Sequence, residues 1–206
     1  IEKMDKVVSV AQMREADGYT IENFIDSRDL MYRAGEAVFR SVNWVSPVGI
    51  VCGTGNNAGD GYVLASLLRA MGMEVTLLLI EKKFSEDGKF YYDACKMAGI
   101  EDLVIDRSTR FDEYAILVDC IYGTGFHGSV PENVAWIIEK INQSSAARVS
   151  VDINSGMNGD TGEGDCCVES DLTVSIGFTK QGQLTEAGRK KIGKLKTVDI
   201  GIILKK

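Results

Sequence analysis

Half of the glycine in this chain lies in three short windows, and each window follows directly on a short apolar run. Gly53, Gly55, Gly59 and Gly61 form the first, Gly123, Gly125 and Gly128 the second, and Gly156, Gly159, Gly162 and Gly164 the third; together they hold 11 of the 22 glycines. Scattered glycine would indicate flexible low complexity, whereas glycine clustered behind apolar runs is punctuation between regular elements. The runs themselves, Val48–Cys52, Ala115–Asp119 and Ala147–Asp152, are short and rich in Val and Ile. They read as strands of a parallel sheet covered on both faces. Glu74–Ile80, Asp171–Ile176 and Thr197–Ile200 are further strand candidates.

Helical patterns lie between the strands. Val63, Leu64, Leu67, Leu68 and Met71 mark one face, ended by Gly72; Val134, Ile137, Ile138 and Ile141 mark another, with Pro131 at its start. Phe84–Ala98 is a weaker third, and the first forty-odd residues also look helical. Alternating strand and helix implies right-handed crossovers and a doubly wound α/β sheet. No linker or internal repeat interrupts the pattern, so residues 1–206 read as a single domain. Ligands of such sheets bind beyond the carboxyl ends of the strands, so all eleven glycines are expected around one crevice.

Composition removes several classes of function. The net charge is −7, from 23 Lys+Arg against 30 Asp+Glu, with no basic block, which argues against a nucleic-acid partner. No apolar run approaches the length of about 18 residues that a membrane span needs. The start, Ile1-Glu2-Lys3-Met4-Asp5-Lys6, has no hydrophobic signal core and no initiator Met, so export is not expected and the chain reads as processed or cut from something longer. Five cysteines without a Cys-x-x-Cys pair fit a reducing cytoplasm better than a disulfide scaffold.

The first window, Gly53-Thr54-Gly55-Asn56-Asn57-Ala58-Gly59-Asp60-Gly61, leads from a strand into a helix, where free backbone N–H groups can cradle a phosphate. A plain tight turn with Asp60 capping the helix is the competing reading. No Gly-Lys-Ser/Thr follows, which excludes a P-loop. Asp60, Asp119 and Asp152 would repel a phosphate unless a cation lies among them. The surrounding oxygen donors, Asn56, Asn57, Thr124 and Ser155, suit a hard cation; alternatively Asp119 and Asp152 simply hold loop N–H groups. His127, the only histidine, has no nucleophile near it in sequence and reads as a rim residue. Lys180 reads either as a phosphate ligand or as a solvated loop lysine.

At this point the segments as a set are recognisable. Cys52–Gly61, Asp119–Gly125 (DCIYGTG) and Val151–Thr161 (VDINSGMNGDT), with SVAQMREAD, LMYRAG, SDLTVSIGFTK and VDIGI, resemble the signatures of the YjeF N-terminal domain family, the NAD(P)H-hydrate epimerases. The resemblance covers nearly the whole chain in order. It implies a Rossmann-like three-layer αβα sandwich with a mainly parallel sheet and N-terminal helices, usually a homodimer. The implied activity is interconversion of the R and S forms of NADHX and NADPHX, paired with an ADP/ATP-dependent dehydratase. By matching position, Asn57, Asp119 and Ser155 would hold a potassium ion. Asn56, Asn57, Ala58, Gly59 and Asp60, then Gly123, Thr124, Gly125, Phe126, His127, Gly128 and Ser129, and Asp152, would surround the substrate.

Asp152 is the expected acid/base, its pKa raised by burial. Two positions depart from the family pattern: Ala58 replaces the usual Gly and should have negative φ, and Asn154 replaces the usual Pro, which is expected to loosen the loop before Ser155. Two other functions compete with the epimerase. One is a non-catalytic nucleotide-binding dimerisation module of the same fold, as found in messenger-RNA decapping scaffolds. The other is an NAD(P)-dependent oxidoreductase, which the missing Gly-x-Gly-x-x-Gly and the acidic crevice disfavour.

Overall fold

A computed structural model describes residues 6–206; Ile1–Asp5, most of the segment read above for a signal core, lie outside the described residues. The three glycine-preceding runs are strands, as are six further stretches around them. In chain order the strands are β1 (Val7–Val8), β2 (Val48–Cys52), β3 (Val75–Leu79), β4 (Glu101–Val104), β5 (Ile116–Cys120), β6 (Ala147–Val151), β7 (Leu172–Ile176), β8 (Thr179–Lys180) and β9 (Lys194–Val198). The helices are α1 (Val10–Asn23), α2 (Ser27–Ser41), α3 (Asn56–Ala70), α4 (Glu86–Met97), α5 (Glu132–Gln143) and α6 (Glu186–Ile192).

Seven strands form one sheet in the order β4-β3-β2-β5-β6-β7-β9, every neighbouring pair parallel. Alternate residues of the strands feed two separate cores. Ile50, Cys52, Leu77, Leu79 and Val118 pack against α2, α3 and α4, while Val51, Leu78 and Leu117 pack under α5. The result is the doubly wound, three-layer arrangement read from the sequence.

The chain runs from β2 outward through β3 to β4, then crosses to β5 on the other side of β2. That reversal opens a crevice at the carboxyl ends of β2 and β5, the general ligand position of such sheets. The first and second glycine loops both start there. A second, two-stranded parallel pair joins β1 to β8, with Val8 opposite Lys180. This short pair draws α1 over the crevice; a Ser9–Gln12 capping box starts that helix. Thr20 closes it onto the C-terminal segment by accepting from the Ile203 N–H at 2.9 Å.

Several expectations need correction. α3 begins at Asn56, inside the first glycine window, with Gly55 as its N-cap and no side-chain cap; Asp60 is inside the helix and does not cap it. Ala58 is helical, so its φ is negative as expected. Asn154 does not loosen its loop. It is fully buried, donates to Val168 O and Lys191 O at 2.9 and 2.8 Å, and accepts from Thr173 Oγ1 at 2.8 Å. Among the described residues no helix is long and apolar enough to cross a membrane. All five cysteines are free, and burial pushes the Cys167 thiol up to about 11.

Candidate active site

The crevice is a cleft of about 660 Å³, within the range of small-molecule sites. One half is polar. Thr54, Gly55, Asn56 and Asn57 line it from the first loop, and Gly123 to His127 from the second. Among the described residues, chain neighbours aside, no atom lies within 4 Å of where a side chain on Gly55 or Gly125 would begin, so these two leave backbone open to a ligand. Most of the other window glycines serve the protein itself. A Cβ on Gly53 would stand 2.1 Å from Ile121 O, and one on Gly156 would stand 1.9 Å from Cys166 O. The third window contributes only Asp152, from the start of its loop, to the cleft wall. The expectation of eleven glycines around one crevice is therefore corrected: close packing of strand and loop against each other consumes most of them.

Asp119, at the end of β5, is buried and accepts four hydrogen bonds. Ser155 donates from both Oγ and N, Ser150 from Oγ and Ile121 from N. Ser155 Oγ in turn accepts from Tyr122 N at 2.9 Å. This network latches the second and third loops together, and burial holds the Asp119 carboxyl above its ordinary pKa. Beside it Asn57 donates from Nδ2 to Val151 O at 3.0 Å, which fixes the amide. Its Oδ1 is buried and has no partner among the described residues. An orphaned buried oxygen is costly, and a hard cation would satisfy it. The residues present thus fit such an ion, with Asn57 carrying the fit. Among the described residues no group of three or more His, Cys, Asp and Glu side chains is placed to hold a metal ion.

Asp152 follows β6 and is the only described residue other than glycine with positive φ, at 73°. Its backbone is pinned on both sides: N–H donates to Val174 O at 2.7 Å, and the carbonyl accepts from Gln183 Nε2 at 2.9 Å. The carboxylate is asymmetric. Oδ1 accepts from Lys180 Nζ at 2.5 Å and from Ile176 N at 3.2 Å. Oδ2 lies toward Gly123, 3.9 Å from where a Cβ there would stand. A strained, clamped carboxylate with one free oxygen facing a cleft is a reactive-site arrangement.

Lys180 is neither a phosphate ligand nor a solvated loop residue. Its side chain is completely buried, and its ammonium donates to Asp152, to Ser175 Oγ at 3.2 Å and to Ile176 O at 2.8 Å. The positive charge sought among the carboxylates is thus partly supplied by the protein. Among the candidates carried from the sequence, His127 sits exposed at the rim, its ring bonded to Gly125 O at 3.1 Å. Phe126 stacks on Tyr122 with centroids 4.8 Å apart. Ala58 and Gly59 turn inward, Gly59 against Met31, while Gly128 and Ser129 are exposed beyond the cleft lining.

The other half of the cleft escaped sequence reasoning. It is apolar, built from Met13 and Ile21 of α1, Leu30 and Met31 of α2, and Ile176 and Ile200. Asp60 and Asp17 project into the same space. Burial, with the charges of Asp152 and Asp17, drives the Asp60 carboxyl well above its ordinary value. Burial and then the Asp152 charge raise Asp17 to about 6, against an opposing pull from Lys180. A signal for Asp17 existed: Met13, Ala16, Asp17, Thr20 and Ile21 share one helical face, and a carboxylate sits at its centre.

Comparison with known proteins agrees with this geometry. The family model for "YjeF-related protein N-terminus" matches residues 27–182. An NAD(P)H-hydrate epimerase of Lentilactobacillus buchneri is 34% identical over 208 residues, covering 97% of this chain and 96% of that protein. A bifunctional NAD(P)H-hydrate repair enzyme of Pyrobaculum aerophilum is 36% identical, covering 84% of this chain but 37% of that longer protein. The crystal structure of yeast ynu0, YNL200c, superposes with a TM-score of 0.76 at 23% identity, covering 86% of this chain and 83% of that one; it supports the fold.

Proposed function

The chain belongs to the family of YjeF-related protein N-termini, and on that premise we propose that it is an NAD(P)H-hydrate epimerase, an isomerase acting in the cleft at the β2/β5 switch point. Its substrates are the R and S forms of NADHX and NADPHX. The observation that carries the reading is Asp152, clamped by Lys180 and left with one oxygen free toward the cleft. A binding module would have no use for a strained carboxylate in that position.

The chemistry follows from the substrate. The C6 hydroxyl of the hydrated ring sits beside the ring nitrogen. When the C6–O bond breaks, the hydroxyl leaves with the bonding pair and a proton as water, and the nitrogen lone pair forms a C6=N iminium. Water adding to the opposite face and losing a proton restores the ring with C6 inverted. Asp152 exchanges protons at C6. Lys180 fixes its orientation and keeps its charge compensated.

The open backbone of Gly55 and Gly125, with Asn56 and the start of α3, faces the diphosphate. Asn57, Asp119 and Ser155 would hold a potassium ion, which supplies a fixed positive charge beside that diphosphate. The apolar half excludes water from the reduced ring. This reading takes residues 1–206 as a single unit that works as a cytoplasmic homodimer, in partnership with an ADP/ATP-dependent dehydratase. Relatives named bifunctional repair enzymes, of which this chain covers 37% and 40%, support the pairing.

The test is an R/S mixture of NADHX incubated with a purified S-specific dehydratase, followed by chromatography. The R form is expected to disappear once this protein and potassium are added. R persisting at its spontaneous rate would overturn the epimerase reading.

A further inference from the structure

Inversion at C6 makes a demand that Asp152 alone does not meet. A hydroxyl leaves one face of the ring and another arrives on the opposite face, so a proton is delivered on one side and collected on the other. Asp152 cannot swing between the two. Its backbone is pinned at both ends, Oδ1 is held by Lys180 and Ile176, and only Oδ2 is free. A second acid/base is required.

Besides the Tyr122 phenol, which burial pushes up and which packs beside Phe126, the cleft offers four other titratable side chains, Asp17, Asp60, Asp87 and His127. Asp87 is occupied at the mouth by Ser27 at 2.6 Å and by an ion pair with Arg28. His127 is exposed on the rim. Asp60 stands on α3 one turn after Asn56 and Asn57, on the polar side of the cleft, and burial pushes its carboxyl well above its ordinary value. Asp17 remains. It stands one helical turn from Met13 and one from Ile21, both of which also line the cleft, so its side chain is aimed at the apolar half. Among the described residues it is in no ion pair, unlike Asp87 and Asp152. The titratable groups acting on it are Asp152 and Lys180, with Asp60 coupled from α3. Those parts of α2 and of the C-terminal segment that line the cleft beside it present Leu30, Met31, Ala34, Ile200 and Ile202, which carry no charge.

We propose that Asp17 is the second acid/base of the epimerase, acting with Asp152 so that each carboxyl serves one face of the ring. The proposal rests on the epimerase reading. In one direction the Asp17 carboxylic acid protonates the departing hydroxyl, which leaves as water with the C–O pair while the ring nitrogen forms C6=N. Water then attacks the other face, Asp152 takes its proton, and the C=N pair returns to nitrogen. The reverse reaction starts from the swapped state, proton on Asp152 and charge on Asp17. Nothing is oxidised or reduced. Burial and the Asp152 charge favour the protonated form of Asp17, the form that starts this direction. Near pH 6, where Asp17 titrates, it is available in both forms.

The experiment uses purified protein in potassium buffer and follows isolated R-NADHX to the S form between about pH 5 and pH 8 for wild type, Asp17→Asn and Asp17→Glu. Asp17→Asn is expected to lower kcat by about 100-fold or more, with KM changed by less than about threefold, and to remove the limb of the pH profile near Asp17's pKa. Asp17→Glu is expected to restore at least about tenfold of that loss, with the limb present. Asp17→Asn turning over within about threefold of wild type, or keeping the limb, overturns the proposal. Wild type that is inactive at every pH overturns both this proposal and the epimerase reading. Active wild type beside an active Asp17→Asn overturns this proposal alone.

Discussion

Asp17→Asn is expected to make the protein more stable at neutral pH while disabling it. The Asp17 carboxyl titrates at an ordinary 3.8 in the unfolded chain and at about 6 in the folded one, because burial and the Asp152 charge oppose its ionisation. The folded state therefore binds this proton more tightly. Between about pH 4 and pH 6 the unfolded chain releases a proton that the folded one keeps, so stability falls as pH rises through that window. Below it the deficit is absent, and above it the deficit is complete. At 1.36 kcal/mol per pH unit, the deficit amounts to about 3 kcal/mol. Asparagine cannot ionise, so the variant should gain about 1–3 kcal/mol at pH 8, or about 2–10 °C in Tm for a chain of this size. At pH 4 it should match wild type. Urea denaturation of both proteins at the two pH values measures this directly. A variant less stable than wild type at pH 8, or one shifted equally at both pH values, would refute the reasoning. Stability and activity moving in opposite directions is what a functional carboxyl in an unfavourable site produces.

Lys180→Met leaves Asp152 without its buried cation, next to Asp17 and Asp60. It should cost about 3 kcal/mol, the low end for broken buried pairs because the Asp152 side chain retains 17% exposure. Adding Asp152→Asn should recover much of that loss in a denaturation double-mutant cycle, and additive losses would contradict the pairing. Asn154→Ala removes three hydrogen bonds and strands Val168 O, while Lys191 O keeps the Ser170 N–H. It should cost about 2–4 kcal/mol by chemical denaturation, whereas a loss below about 1 kcal/mol would mean that the loop does not depend on this side chain. Potassium chloride should raise Tm above that in matched sodium chloride, and Asn57→Ala should abolish the difference. An unchanged difference in that variant would remove Asn57 from the ion site.

The central strands were legible because a strand buried on both faces is a continuous apolar run, and Val48–Cys52 is buried throughout. β4 was missed for the converse reason: as an edge strand, Glu101-Asp102-Leu103-Val104 is largely exposed and carries charge. β9, expected at Thr197–Ile200, starts at Lys194 because its lysines face solvent at the opposite edge. The start of α3 was hidden by Asn56, Asn57, Gly59 and Gly61, poor helix formers that are there for the first loop. At the site, glycine spacing located the crevice but did not say which glycines face a ligand, since that depends on what crosses behind each one. Lys180 looked like a loop residue, because the β1–β8 pairing that buries it joins distant segments, Val8 to Lys180, and leaves no local periodicity. Asn154 replaced an expected proline in the loop, and only the tertiary partners show that three hydrogen bonds take over the stiffening role.

The central claim, epimerase chemistry at Asp152, is tested most directly by the rate at which isolated R-NADHX approaches its R/S equilibrium, followed by chromatography with wild type, Asp152→Asn and buffer alone. The wild-type rate is expected to exceed the buffer rate by orders of magnitude, with Asp152→Asn folded but close to buffer. Wild type no faster than buffer, or Asp152→Asn as fast as wild type, would contradict the account.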